Sequence, residues 1–343
     1  MNFIINTLAS VFVFSVVIFI HELGHFLVAK KSGIKVNEFS IGMGPRLFSF
    51  TKGETDYSVR ALPIGGFVAM EGEDEESDAE GSFSKAPVAN RIAVVVAGAV
   101  MNIILGFAVL VFLTSQEEVI TSRTVYNFHE GAMTQQTGLQ VDDEIIAVNG
   151  RRCYIANDII YEFARTQNGT ADFTVRRDGK ITELKDVTFD TYTDEDGYKQ
   201  MVIDFYVYPV EKTPLTVIRE AVHWTMSLAR TIFLSLVDMV TGRVAMNQIS
   251  GPVGIVTVIS EAASVGLKPL LNILALITIN LGVFNLVPFP ALDGGRLVFL
   301  LIELFRGKPI NPKYEIWVNA AGMIVLLAFM ALVTFSDVTK LIF

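Results

Sequence analysis

Four apolar stretches, near residues 3–29, 92–114, 270–292 and 315–335, constrain this chain before anything else does. Each approaches the roughly 20 helical residues needed to cross about 30 Å of hydrocarbon, where only helices or closed barrels satisfy their own backbone. A polytopic α-helical membrane protein with four transmembrane helices is expected. The first stretch lacks a basic n-region and a small-residue cleavage site, so it reads as a retained span. The third carries Asn272, Thr278, Asn280 and Asn285 and breaks at Pro288 and Pro290. A polar, interrupted span lines a protein interior rather than facing lipid.

Composition narrows the partners. Apolar residues make up 51% of the 343, the mean hydropathy is +0.47 and the net charge is −9. No basic footprint for a phosphate backbone exists, so nucleic acid is not expected, whereas lipid bilayer and protein are. The single cysteine, Cys153, excludes an internal disulfide and a thiolate cluster, so any metal must be held by His, Asp or Glu. Lys and Arg set the orientation: eight lie from Lys30 to Arg91, four from Arg296 to Lys313, and near the termini there is Lys340. Both termini are therefore expected outside, with those two connections in the cytosol. The acidic run Glu71 to Glu80 reads as a solvated loop.

Between the second and third spans the stretch Glu130 to Arg152 predicts a short helix ending at Gly138, a strand Glu144 to Val148 and a hairpin turn at Asn149-Gly150. A helix from Ala156 to Gln167 should follow, then strands 171–176 and 180–184 joined at Asp178-Gly179, and a last strand 201–208. The GL…DxI…VNG string resembles a PDZ domain of the bacterial protease type. Such domains capture peptide termini by strand addition, and a folded plug without a ligand is the alternative. From Thr213 to Ala245, Leu215, Ile218, Val222, Met226, Ala229, Phe233 and Val237 recur at helical spacing. A helix lying on the outer membrane surface is expected.

The chemistry centres on His21-Glu22-Leu23-Gly24-His25, the HExxH pattern. On a helix it sets two imidazoles one turn apart on one face, with a carboxylate between them to take a proton from an attacking water. Ionisable groups at the end of an apolar span are costly without a reason. A catalytic zinc site takes three protein ligands, and Asp293 is the candidate third. It closes the string Asn285 to Gly294 at the end of the broken span, while His21 sits about 27 Å along the first helix at 1.5 Å per residue. Both spans run from outside to inside, so the two motifs reach similar depth near the cytosolic leaflet. Glu303 is a reserve ligand.

Taken together, HELGH and NLVPFPALDG resemble the HExxH and NxxPxPxLDG motifs of the bacterial site-2 proteases, zinc-dependent intramembrane metalloproteases, in the subgroup with one inserted PDZ domain. IGMGP at 41–45, RALPIGGFVAM at 60–70 and Gly251-Pro252-Val253-Gly254-Ile255 fit as well. In AGAVMN at 97–102, Ala99 stands where that family commonly has proline. The resemblance spans essentially the whole chain and implies Zn2+ held by His21, His25 and Asp293, with Glu22 as proton carrier. It also implies a membrane-associated β-hairpin after the first helix. Asn285 would be a donor to substrate backbone or oxyanion, with helix capping as the other reading. Gly65 and Gly66 are further substrate-contact candidates, since the run Asp56 to Met70 could hold an unwound substrate by edge pairing, and Asn102 is another candidate for substrate or oxyanion contact.

The expected organisation is a first transmembrane helix over 1–32, a cytosol-side β region over 33–90 and a second helix over 91–114. A PDZ domain over 115–212, a surface amphipathic helix and connection over 213–269, a third helix over 270–306 and a fourth over 312–336 complete it. The expected function is regulated proteolysis of single-span proteins in a bacterial inner membrane, of the anti-sigma-factor or remnant-signal-peptide kind. Two other readings stay open: a catalytically silent PDZ-containing sensor, which would have no use for Glu22, and a metal transporter, which would show repeated halves.

Overall fold

Apolar continuity in the sequence becomes helix wherever glycine and proline allow it. The computed structural model describes residues 2–73, 77–164, 166, 168–193, 199–242 and 250–342. The middle of the acidic run, the end of the expected helix at Gln167, and 243–249 of the connection before the third span lie outside the described residues. From the N-terminus run α1 (Asn2–Lys31), β1 (Val36–Lys52), β2 (Thr55–Met70) and α2 (Val88–Gln116). Then come β3 (Ile120–Phe128), α3 (Met133–Gln136), β4 (Glu144–Val148), β5 (Arg151–Arg152), α4 (Ala156–Ala164), β6 (Thr170–Arg177) and β7 (Lys180–Thr188). β8 (Thr191–Thr193), β9 (Lys199–Met201), β10 (Phe205–Val210), α5 (Pro214–Val240), α6 (Pro252–Val265), α7 (Leu267–Asn285), α8 (Asp293–Arg306) and α9 (Pro312–Ile342) follow. Two compact units emerge, one from Met1–Val109 with Thr231–Phe343, the other Leu110–Arg230.

Helices α1, α2, α7 and α9 contain windows Thr7–Lys31, Val88–Gln116, Leu267–Asn285 and Lys313–Lys340, long and apolar enough to cross a membrane. The third apolar stretch is two helices rather than one. Pro288 and Pro290 lack the amide hydrogens a helix needs, so α7 stops at Asn285 and α8 restarts at Asp293. Between them Ala291 holds φ +71, a left-handed conformation that costs a residue with a Cβ. Glycine sets the helix crossings: a Cβ on Gly24 would lie 2.9 Å from Met101 Cγ, and one on Gly282 would lie 2.9 Å from the Ala99 oxygen. Small residues let membrane helices approach this closely.

The connection between α1 and α2 is a β layer. Ile41 lies opposite both Gly66 and Val59, so the segment around it is flanked on two sides. Glu38 is almost fully buried there and accepts from Ser58 Oγ at 2.6 Å and Arg60 Nη2 at 2.8 Å, with Arg46 as a third partner. Burial pushes its carboxyl up, but those hydrogen bonds outweigh it and hold Glu38 below the usual carboxylate value. Ala29, Val36, Phe39, Val68, Val94, Val95 and Leu300 form one core, which fastens this sheet against α1, α2 and α8.

A helix not anticipated from sequence, α6, packs Ile259 with Val13, Val17 and Leu274. Its N-terminus is capped from far away: Gly254 N–H donates to Asp337 Oδ2 of α9 at 2.9 Å.

The second unit is built on a sheet of order β10-β3-β4-β6-β7, with β5 paired to β4. Asn149 (φ 49) with Gly150 (φ 73), and Asp178 (φ 50) with Gly179 (φ 76), make the two expected turns in the left-handed conformations that such turns demand. Val125, Leu139, Ile145, Phe163, Phe173 and Phe205 fill its core. The expected strand 201–208 divides into β9 and β10, and β3 adds a strand that alternation did not reveal. On α5, Val217 and Ala221 are buried, whereas Leu215, Ile218, Val222 and Met226 are exposed. Arg230 Nη2 reaches Asp158 at 3.2 Å, and Ser227 also hydrogen-bonds that carboxylate.

Candidate active site

One helix and one helix start supply the polar centre of the first unit. α1 carries His21 and His25 one turn apart, and Asp293 opens α8, where the helix dipole favours a carboxylate. Three atoms converge. His21 Nε2 lies 3.2 Å from His25 Nε2, and Asp293 Oδ2 lies 3.2 and 3.4 Å from those two nitrogens. A tetrahedral zinc with bonds of about 2.0 to 2.1 Å has ligand-to-ligand edges of about 3.3 to 3.4 Å. The three donors thus fit one ion. Asp293 Oδ2 is moreover a buried oxygen without a well-directed hydrogen bond, as a ligand atom would be in the absence of its metal. The imidazole side chains are 10 and 11% exposed and the aspartate 27%.

The second layer fixes the rings. His25 Nδ1 lies 2.8 Å from the carbonyl oxygen of Val94, which can only accept, so Nδ1 carries the hydrogen and Nε2 keeps its lone pair. Asn102, fully buried on α2, places Nδ2 3.4 Å from His21 Nδ1 while its Oδ1 has no partner. Turning that amide over gives the His21 ring hydrogen an acceptor. Asn102, which the sequence offered as a substrate contact, stands fully buried beside His21, where it bears on the orientation of that ring. Its own backbone oxygen accepts from Thr278 Oγ1 at 3.1 Å. Asn285 closes the site from the end of α7, with Nδ2 3.4 Å from His21 Nε2.

Glu22 faces the β layer. A Cβ on Gly66 would sit 3.3 Å from Glu22 Cγ and 2.9 Å from the Ser40 oxygen. Gly65, at φ +88, bends the strand beside Met43. Glu303 is not a ligand: both its oxygens bind Arg91, at 2.5 and 3.0 Å. Sequence reasoning passed over Gly98, where a Cβ would run into the rings of His21 and His25. Its signal was the AGAVMN string, which carried attention only for Ala99.

The sequence pattern of Peptidase family M50 matches residues 9–329 of this chain. The chain belongs to that family. The M50 chain is 31% identical over 422 aligned positions to the "Regulator of sigma-W protease RasP" of Bacillus subtilis, covering 99% of each. It is 32% identical to the "Zinc metalloprotease RasP" of Bacillus licheniformis, covering 98% of this chain and 99% of that one. A protein of Clostridium acetobutylicum, named as a candidate zinc metalloprotease, is 35% identical over 97% of each chain. With four helices of spanning length among the described residues and this membership, the M50 chain is an integral membrane protein and a metalloendopeptidase of the site-2 type.

Proposed function

We propose that this protein is a zinc intramembrane metalloprotease in which His21, His25 and Asp293 hold the metal and Glu22 moves the proton. The observation that carries the reading is the triangle of two Nε2 atoms and one carboxylate oxygen with edges of 3.2 to 3.4 Å. Bound there, zinc supplies a Lewis acid that polarises a peptide carbonyl and acidifies water. Glu22 takes the proton of the attacking water and delivers it to the leaving amine. Asn285, beside the ligand triangle, is placed to donate to the developing oxyanion. A helical substrate satisfies all its own backbone and must unwind before cleavage. The strand through Gly65 and Gly66, lying against Glu22, is the edge we assign to hold the unwound segment.

The second unit we read as a PDZ domain, supported by the GL…DxI…VNG string running from just after α3 through β4 to the 149–150 turn. Its place outside, with both termini, follows from the Lys and Arg distribution, and the membrane is a bacterial inner membrane. As substrates we propose single-span proteins whose outer part has been trimmed. The name of the Bacillus subtilis relative ties that protein to sigma-factor regulation, so a membrane-bound anti-sigma factor is the first class to try, with remnant signal peptides second. Purified protein in detergent, assayed for metal content and for cleavage of a model single-span substrate, tests the reading. Zinc in stoichiometric amount with cleavage inside the span is expected. Metal without cleavage would favour a transporter, and neither would favour a silent sensor.

A further inference from the structure

The helix break that presents Asp293 is held from a helix that contributes nothing to HExxH or LDG. Ala291, two residues before Asp293, stands at φ +71. Its backbone N–H donates to Asn319 Oδ1 of α9 at 3.2 Å. The same stretch of α9 comes in close by having no side chain at Gly322, where a Cβ would lie 2.8 Å from the Pro290 oxygen. On the other side, α8 begins with two glycines that let the loop fold back over it: a Cβ on Gly295 would lie 3.0 Å from the Phe289 carbonyl carbon. The loop is thus clamped between α8 and α9, with the Asn319 amide oxygen as the polar contact from α9.

A left-handed residue with a Cβ persists only where its surroundings over-determine it. Without an acceptor, the Ala291 N–H would sit part-buried and unpaired, and the residue would relax toward an ordinary conformation. Two residues on, that relaxation would shift the Asp293 carboxylate out of a triangle whose edges are 3.2 to 3.4 Å. We infer that Asn319 is a positioning residue for Asp293: through Ala291 the fourth span sets the third metal ligand. The inference rests on the metal-site reading above.

The test measures zinc affinity of the purified full-length protein by competition with a chromophoric chelator, together with the d–d spectrum after cobalt substitution and helical content as a fold check. Outer-layer partners of metal sites are worth about 10- to 100-fold in affinity. Asn319→Ala should lower zinc affinity about tenfold and alter the cobalt spectrum. Asn319→Asp, which keeps an acceptor oxygen, should restore both. Ala291→Gly, which removes the cost of positive φ, should recover most of the loss in the Asn319→Ala background. Ile316→Ala, on an exposed part of the same helix, should change nothing. Wild-type affinity in Asn319→Ala, or equal losses in the Ala and Asp variants, would overturn the inference, as would failure of Ala291→Gly to rescue. Asp293→Ala separates the two levels: if it binds zinc normally, the metal-site reading falls and takes this one with it. If it loses zinc while Asn319→Ala does not, only the positioning role is wrong.

Discussion

Gly66 lies against Glu22, close enough that a Cβ would stand 3.3 Å from the glutamate Cγ and 2.9 Å from the oxygen of Ser40. The β layer and the HExxH helix are therefore fitted to each other at the acid–base group itself. Replacing Gly66 by valine should push the strand off Glu22 and cut the cleavage rate at least tenfold, with zinc content retained. Parallel loss of zinc and activity would mean that the strand is only a structural support.

Glu22→Gln keeps the shape and all three ligand candidates but removes the proton carrier. Zinc content should match wild type and cleavage of a single-span substrate should fall by about 10²- to 10⁴-fold, the usual weight of general acid–base catalysis. Substantial residual turnover would exclude Glu22 from that role.

Gly98 faces both imidazoles, so even one methyl group intrudes on them. Overpacking a filled interior costs about 1 to 3 kcal/mol, and here the displaced groups are the ligands. Gly98→Ala should lower both thermal stability and zinc affinity, with the zinc lost first on titration with a chelator. An unchanged zinc affinity would show that the rings have room to move.

Burial pushes the Glu220 carboxyl up to about 7 despite Arg123 and Arg219, with Asp158 adding to the rise. An acid whose folded value is raised favours the fold when protonated. Its contribution is complete below the ordinary value of 4.5 and is lost as pH rises toward 7. Amide hydrogen exchange in residues 110–230 should therefore report a less stable unit at pH 8 than at pH 5, after correction for intrinsic rates. Glu220→Gln should flatten that difference, and an unaltered slope would assign it to another group.

Cys153 is fully buried and its thiol is pushed up to about 12, by burial first and by Asp158 and Glu162 in addition. It should resist a maleimide at pH 8 in the folded protein and react quickly after denaturation. Rapid labelling of the native state would reveal frequent opening of the second unit.

The spans and both metal motifs were legible because each depends on neighbours in sequence: apolar runs for a bilayer, a four-residue interval for two imidazoles on one helix face. The hairpin turns at 149–150 and 178–179 were legible for the same reason, as Asn-Gly and Asp-Gly declare their own backbone. What stayed hidden depends on distant partners. Gly98 matters only because α2 crosses α1 at His21 and His25, and Asn319 only because α9 returns to the 286–292 break. Asn102 looked like a substrate contact by type, and its place behind His21 is set by helix rotation, which no local spacing encodes. α6 escaped notice because its cap, Asp337, comes from a helix more than 80 residues later, the pair being separated by 83 positions.

Of the three proposed ligands, the aspartate keeps more than twice the exposure of either imidazole, and it stands where the chain leaves one helix and starts another. That difference in exposure makes the Asp293 side the one from which a ligand reaches the three donors. An inhibitor would meet that asymmetry directly. A hydroxamate or similar chelating head should approach past Asp293 and the 286–292 loop, with a greasy tail trailing toward lipid; attaching the same head to a bulky polar scaffold should cost potency. Medicinal chemistry on such a target would then begin from the loop rather than from the HExxH helix.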